Sequence, residues 1–528
     1  MFIFCLFGLH RLWLIWTYVR IKLRDSQKSP NSYQNTYQNS KVYLPIHHHH
    51  SDKGKEQISS SWCYGLSLQD YPIITVQLPI YNEKYVVERL INAVCSLDYP
   101  IECLEIQVLD DSTDETVEQV DQIVQHRQSE GFNIAAVRRP TRQGFKAGAL
   151  QYGLEQCQGE FILIFDADFI PPPNLLRQGM PCFSNSLAGE KTGMVQFPWG
   201  HVNREYSLLT YAQSVLLDGH FHIEHLVRSR TGRFFNFNGT AGIWRKQCIL
   251  DAGGWQGDTL TEDMDLSYRA QLKGWVFQYV PDVHVPAELP IELNAFKSQQ
   301  YRWAKGGVQT AIKLLPILLR EPLPLKVKLE SIFHLTSNLT YVLIPCLLLL
   351  LPALILCMDC IPTIIYAFSF ITSVFSVMLF YVIAQLPNTT SDLGEGPTRY
   401  PIDLTSRVWK KTWQIIVGIP ILMAVGAGLC VNNSKAVLEA IFRCQSGFVR
   451  TPKYNILAKA DKLRDRTSYR VGNNIYFCFE LFLLVYLISV AAISWTHHAY
   501  HVMPFVLIFM SGFLYFTVLT IRQSGFRF

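Results

Sequence analysis

The chain has 528 residues, of which 49% are hydrophobic and 17% charged, with a formal net charge of +5. That length admits several domains, and so large an apolar share over so long a chain points to membrane segments rather than one soluble globule. Its 13 cysteines are scattered, as in a reduced compartment, which argues against a disulfide framework.

Residues 1–20 form the first segment, in which Met1–Val19 is apolar and aromatic apart from Arg11 and is followed by Arg20, Lys22 and Arg24. The stretch has no basic leading end and no small-residue cleavage site, so a membrane anchor is expected rather than a cleaved signal. Positive charge behind it places the next domain in the cytoplasm. Residues 21–70 are rich in Ser, Gln, Asn and Tyr without apolar periodicity and read as a flexible linker. His47–His50 lie inside that linker and receive no function.

A cytoplasmic domain is expected over 71–310. The first strand, Ile73–Leu78, is expected to break at Pro79, with a helix over Lys84–Ser96. A second strand, Ile106–Leu109, runs into Asp110-Asp111-Ser112, and a third covers Ile134–Val137. After a loop over Thr141–Gly148 and a helix to Gln156, the apolar run Phe161–Phe165 ends in Asp166-Ala167-Asp168. Strands alternating with helices, with polar residues where strands end, predict an open α/β sheet whose ligands bind at the carboxyl ends of its strands. Asp110, Asp111, Asp166 and Asp168 fall on that edge. On extended backbone Asp166 and Asp168 would face one side. Two such carboxylates suit Mg²⁺ or Mn²⁺ carried by a diphosphate. No GxGxxG is present, which leaves a nicotinamide or flavin dinucleotide without support.

Further on, Glu262–Lys273 reads as a helix with Thr261 as a plausible N-cap. Gln299, Arg302 and Trp303 stand at i, i+3, i+4 on a helical pattern from Ala295, which puts them on one face. His220, His222 and His225 do not share a helical face, so no metal is assigned to them. The single Cys357-Met358-Asp359-Cys360 pair lacks a partner for zinc. Residues 311–528 hold five apolar stretches, Ile332–Cys357, Ile361–Leu386, Thr412–Val431, Ile475–Trp495 and Ala499–Ile521, with Glu480 their lone acid. Each is long enough to cross ~30 Å of hydrocarbon. The basic loop at 435–470 should share the domain's side of the membrane, yet three apolar stretches lie between them, so one is expected to be interfacial or re-entrant.

Six short motifs occur in order: Pro79-Ile80-Tyr81-Asn82-Glu83, Asp110-Asp111-Ser112, Lys146-Ala147-Gly148, Asp166-Ala167-Asp168, Thr261-Glu262-Asp263 and Gln299-Gln300-Tyr301-Arg302-Trp303. With Phe237–Arg245, they make residues 73–310 resemble membrane-embedded family 2 glycosyltransferases of the cellulose synthase-like, mannan and glucan synthase group. The resemblance implies a GT-A (Rossmann-like) α/β catalytic domain on an α-helical multi-pass membrane domain in the cell membrane. It implies an inverting, processive transferase that extends a β-linked polysaccharide from UDP-glucose or GDP-mannose, with Mg²⁺ or Mn²⁺, and no nucleic-acid partner. A glycolipid glycosyltransferase adding one sugar to ceramide or diacylglycerol is the alternative.

By the same resemblance, Asp263 is the base. Tyr81, Glu83, Asp110, Asp111, Lys146, Asp166, Gln299 and Arg302 would bind the nucleotide sugar, with Asp166 and Asp168 on the metal. Phe237, Asn238, Gly239, Thr240, Glu262 and Trp303 would line the acceptor. Residues Ser446–Lys453 resemble a gating loop, with Phe448, Thr451 and Lys453 in the matching positions and Arg450 in place of an apolar residue.

Overall fold

The computed structural model describes residues 2–27, 71–184, 190–357, 363–386, 404–447, 449–457, 461 and 477–523. His47–His50, Cys360 and Phe448, and with them the expectations attached to them, lie outside the described residues.

After helix α1 (Phe2–Ser26), the domain alternates β1 (Ile74–Ile80), α2 (Val87–Cys95), β2 (Leu104–Asp110), α3 (Thr116–Ser129), β3 (Asn133–Val137), α4 (Phe145–Gln156) and β4 (Phe161–Ile164). There follow β5 (Thr192–Gln196), β6 (Trp199–His201), α5 (Leu208–Asp218), β7 (Gly242–Arg245), α6 (Glu262–Leu272), β8 (Val276–Tyr279), β9 (Val285–Ala287) and the long helix α7 (Leu293–Arg320). The period-two pattern of β1 explains its two faces. Ile74, Val76 and Leu78 are fully buried against Val87, Leu90, Ile91 and Val94 of α2, each worth ~1.5–3 kcal/mol relative to exposure. On the opposite face the buried Thr75 donates to Glu105 and the buried Gln77 donates its amide N–H to Gln107 of β2.

Pro79 does not break β1. The strand pairs with β4 only over Ile74–Gln77, so at Pro79 its one neighbour is β2 and a missing N–H leaves no gap toward β4. The sheet order is β3-β2-β1-β4-β7-β5-β8, with β7 antiparallel to both β4 and β5. The sheet is therefore mixed, a GT-A, Rossmann-like arrangement, where alternation alone suggested parallel strands. A second two-stranded sheet pairs β6 with β9.

Among the described residues five helices are long and apolar enough to cross a membrane: Phe2–Ser26, Leu325–Leu356, Ile415–Ile441, Phe477–Thr496 and Met503–Gln523. The expected stretch Ile361–Leu386 forms helix from 363 to 384 with a π-helical turn over Ile371–Phe375. Its apolar part, Phe368–Ala384, is shorter than the five, and it lies along α1, where Arg11 Nη1 donates to Ser376 Oγ at 3.3 Å. Two of the five long helices thus separate the domain from residues 449–457. An even number suits the observed contact between that segment and the domain, where Lys453 meets Asp168.

Candidate active site

A cleft opens where β1, β2 and β4 end, closed on its far wall by α6, α7 and the segment around Arg450. At one end stand Tyr81, Asp111 and Arg142. The turn bearing Tyr81 has Asn82 at φ 56, a left-handed conformation that Asn tolerates, and it is tied down by Asn82 N–H to Ser112 Oγ at 2.9 Å and Thr113 N–H to Asn82 Oδ1 at 2.8 Å. Arg139 grips both oxygens of Asp111, at 2.8 and 2.6 Å, and the Arg142 guanidinium lies 3.3 Å over the Tyr81 ring. Neither arginine belongs to a motif.

In the middle of the cleft, β4 stops at Ile164, so Asp166 and Asp168 sit on the following turn rather than on extended strand. Lys146 Nζ, on the first turn of α4, donates to Asp166 Oδ1 at 2.5 Å and to the Gly239 carbonyl at 2.9 Å. Burial works against the Lys146 charge, but Asp166, Glu262 and Asp263 outweigh it and hold its pKa above the usual lysine range. Asp168 Oδ2 accepts from Lys453 Nζ at 2.7 Å and from the Glu288 N–H at 3.1 Å. Each aspartate keeps its second oxygen without a hydrogen-bond donor among the described residues. Glu83, buried beside them with Oε2 lacking a partner, is pushed up to about 8 by burial; Arg450 opposes the shift and Asp168 adds to it. Burial thus favours its neutral form over its charged one.

Glu262 and Asp263 open α6 on the facing wall. The Thr261 side chain makes no cap; its hydroxyl meets Thr310 Oγ1 of α7 at 3.3 Å. Asp263 Oδ1 accepts from the Met264 N–H at 2.8 Å. Burial pushes Asp263 up to about 7, the neighbouring Glu262 adds to it, and Lys146 and the backbone oppose. Burial raises Glu262 too. Gly239 stands between these groups at φ +80, where a Cβ would come within 3.1 Å of Asp263 Oδ2 and 3.4 Å of Lys146 Nζ. A side chain there would crowd Asp263 and strain the backbone. Gln299, Arg302 and Trp303 line the cleft together, as one face of α7. Burial lowers the Arg302 pKa against the pull of Glu262 and Asp166.

Residues 72–306 match the model of "Glycosyltransferase like family 2". Among curated proteins, the chain is 44% identical over 259 residues to glucomannan 4-beta-mannosyltransferase 2 of Arabidopsis thaliana, which is 48% of this chain and 48% of that relative. It is 43% identical over 270 residues to glucomannan 4-beta-mannosyltransferase 1 of Cyamopsis tetragonoloba, half of each chain. Residues 72–306 thus carry a domain similar to the family 2 glycosyltransferases. The chain spans about half the length of the curated relatives it matches. Among solved structures, a mannosyltransferase of Pyrobaculum calidifontis in complex with GDP-Man and Mn2+ is 16% identical, covering 84% of this chain and 100% of that one with a TM-score of 0.43. The fold assignment here rests on the sheet order.

The glycosyltransferase cleft gathers most of the residues that the motifs single out and leaves three aside. Tyr81, Glu83, Asp111, Lys146, Asp166, Asp168, Asn238, Gly239, Glu262, Asp263, Gln299, Arg302, Trp303, Thr451 and Lys453 all line it. Asp110 does not: its buried carboxylate accepts from Arg138 Nε at 2.9 Å and the Ser112 N–H at 3.0 Å, so it braces the strand end. Phe237 is fully buried under the sheet, with its ring 5.6 Å from Trp244, and Thr240 Oγ1 accepts the Asp166 N–H at 2.9 Å from behind. The three histidines go separate ways: His220 to Glu224 and Asn238, His222 to the Ala384 carbonyl, His225 to the Asn236 carbonyl. Among the described residues no group of three or more His, Cys, Asp or Glu is arranged for a metal.

Sequence reasoning passed over Gln196, which is fully buried and holds the 238–241 turn through the Asn238 N–H and the Thr240 and Ala241 carbonyls. It also passed over the reach of Arg450, whose Nη1 donates to the Tyr81 carbonyl at 2.6 Å, and to that of Asn82. Thr451 Oγ1 accepts from Arg302 Nη2 at 3.0 Å. The segment therefore touches the Tyr81 end, the centre and the far wall of the cleft at once.

Proposed function

We propose that this chain is a membrane-embedded, inverting, processive transferase that extends a β-1,4-linked mannan or glucomannan from GDP-mannose, with the catalytic domain on the cytoplasmic side. The observation that carries the reading is one cleft in which a carboxyl raised to about 7, Asp263, faces the Lys146–Asp166 pair and Arg302. The names of the curated relatives favour mannosyl transfer over glucosyl transfer.

In this reading Asp263 takes the proton of an acceptor hydroxyl as its oxygen attacks the anomeric carbon. The new C–O bond forms on the face opposite the diphosphate, whose bond to carbon breaks with the electron pair leaving on phosphate oxygen. A base with a pKa near 7 is well matched to that work at neutral pH. Lys146 and Arg302 bring fixed positive charge to the leaving group, and the planar fork of Arg302 can hold two phosphate oxygens. Tyr81 and Asp111, with Arg142, form the wall for base and ribose, and Trp303 offers a face for a sugar ring. Asp166 and Asp168 fit a divalent cation, since each keeps an oxygen free of protein donors and Mg²⁺ or Mn²⁺ needs only one or two carboxylates beside phosphate oxygens. Such a cation would supply charge neutralisation to the diphosphate.

Asp166→Ala with Asp168→Ala is accordingly expected to abolish the dependence of GDP affinity on Mn²⁺, measured by calorimetry. A Mn²⁺ response equal to wild type would remove both from metal binding. Lys453 and Thr451 hold a lid against the cleft, and lids of this kind exclude water and complete a site. Thr451→Ala with Lys453→Ala should lower polymer yield several-fold in protein that still binds GDP. Normal amounts of normal-length product would make the segment a topological anchor only.

The reading as a whole is tested by giving purified protein in lipid either labelled GDP-mannose or UDP-glucose with Mn²⁺. A long product cut by β-1,4-mannan-specific hydrolases is the expected result. A single hexose on ceramide or diacylglycerol would replace it with glycolipid synthesis.

A further inference from the structure

Beyond Trp303 the cleft continues past residues that no motif marks. Trp199 and His201 stand two apart on β6, hence on one side of it, and both line the cleft with Asn238. The Trp199 and Trp303 rings meet 6.4 Å apart at 54°, forming a corner of two aromatic faces. Around that corner three polar atoms are shielded from solvent without a hydrogen-bond partner among the described residues: Trp199 Nε1, His201 Nδ1 and Asn238 Oδ1.

Their chemistry is fixed by what lies behind them. His201 is 5% exposed at its side chain, and its Nε2 sits 3.1 Å from Asp218 Oδ1. Asp218 also accepts from Arg204 Nη1 at 2.9 Å and Gln385 Nε2 at 2.8 Å. Burial opposes its charge, but His201 and Arg204 prevail and hold it well below the usual carboxylate range. An ionised Asp218 can only accept, so Nε2 carries a proton and Nδ1 is the ring nitrogen left for a ligand. Asn238 is held by His220 Nε2 at its amide nitrogen, 2.9 Å away, and by Gln196 at its N–H, which leaves Oδ1 as an acceptor. Trp199 Nε1 is a donor only. A donor, an acceptor and an imidazole nitrogen beside two indole faces is the pattern that suits a pyranose, whose hydroxyls both donate and accept and whose C–H face stacks on aromatic rings. Buried polar atoms left unpaired are costly, and ligand hydroxyls would satisfy them.

We infer that Trp199, His201 and Asn238, with Trp303, form a sugar subsite that grips the acceptor chain, Trp199 donating to one hydroxyl and His201 Nδ1 hydrogen-bonding another. The inference rests on reading the cleft as a site of glycosyl transfer, and it adds the residues that hold a chain rather than a free hydroxyl. Processive extension needs such a grip, because the product must remain bound while nucleotide leaves and donor returns.

The test uses the full chain in lipid and two conservative variants. Trp199→Phe keeps an aromatic face and removes the N–H. His201→Gln keeps an N–H for Asp218, since the Gln amide nitrogen matches Nε2, and removes Nδ1. Two readouts are taken: the Kd of a fluorescent β-1,4-linked mannohexaose without donor, and the KM of the same hexaose with GDP-mannose and Mn²⁺. Each variant is expected to weaken both by about three- to tenfold, the scale of one hydrogen bond, with GDP affinity unchanged. Hexaose Kd and KM at wild-type values in both variants would overturn the subsite while leaving mannosyl transfer intact. Loss of GDP affinity alongside would also overturn it, because the residues would then be shaping the whole cleft. A wild type that binds hexaose through these residues but never elongates it would instead sink the transferase reading and keep the subsite.

Discussion

Asp263→Asn is expected to lower turnover by ~10²–10⁴-fold, the range a positioned base contributes, while GDP affinity stays at its wild-type value. The substitution keeps shape and leaves the Asp166 and Asp168 carboxylates untouched; it removes only the group that can accept the acceptor's proton. Because burial pushes Asp263 up to about 7 from an ordinary 3.8, the ionised, active form accumulates only above neutrality. The wild-type rate should therefore fall about tenfold per pH unit below that point, and the residual rate of the variant should lack this limb. A companion measurement separates lost chemistry from lost folding. A carboxyl whose folded pKa is raised contributes its stability below the unfolded value and loses it as pH rises through the folded one. An Asn cannot ionise, so at pH 8 the variant should melt no lower than wild type. More than about a tenth of wild-type turnover in Asp263→Asn would end the assignment of the base.

The parts of this molecule that were legible in the sequence are those set by local pattern. Runs such as Phe161–Phe165 and Ile106–Leu109 announced buried strands, and the acids after them announced the functional edge. What local pattern cannot carry is pairing at a distance. The antiparallel strand β7 inserts between β4 and β5, with Arg245 opposite Phe161, yet nothing in Gly242–Arg245 alone announces a direction. Nor does a motif say which way each member faces. Asp110 and Asp111 are neighbours on extended backbone, so one must turn inward to Arg138 and the other toward Arg139 and the cleft. Phe237 to Thr240 divide in the same manner between core, cleft and the back of Asp166. Arg142, Arg450, Trp199 and His201 reach the cleft from loops and a three-residue strand where single charges and aromatics are commonplace. Only the Trp199–His201 spacing held a signal, and it was a faint one.

Glu480→Leu is expected to destabilise the protein by about 3–5 kcal/mol, because it leaves a buried lysine without its counter-charge. Glu480 is the lone acid of the five apolar stretches, and the structure gives the reason for it. Its carboxylate accepts from Lys297 Nζ at 2.6 and 2.9 Å, with Glu480 fully buried and Lys297 2% exposed. The pair joins helix Phe477–Thr496 to α7, two residues before Gln299 and about one and a half helical turns from Arg302 and Trp303. Asn432 adds a bond to the Lys297 carbonyl at 2.9 Å, and the ammonium lies 5.0 Å over Phe516, so three apolar helices converge on one residue of α7. Desolvating two charges is costly and the pair returns little net stability, whereas stranding one partner exposes the full penalty. Lys297→Met with Glu480→Leu should therefore melt close to wild type or above it, while either single change melts far below, as read by thermal unfolding in lipid nanodiscs. The same comparison reads function. If the pair sets the position of α7, the double variant recovers stability but not turnover, since Arg302 and Trp303 would have lost their fixed register against Asp263. A Glu480→Leu protein as heat-stable as wild type would show that the lysine finds water or another partner, and that α7 is held by packing alone.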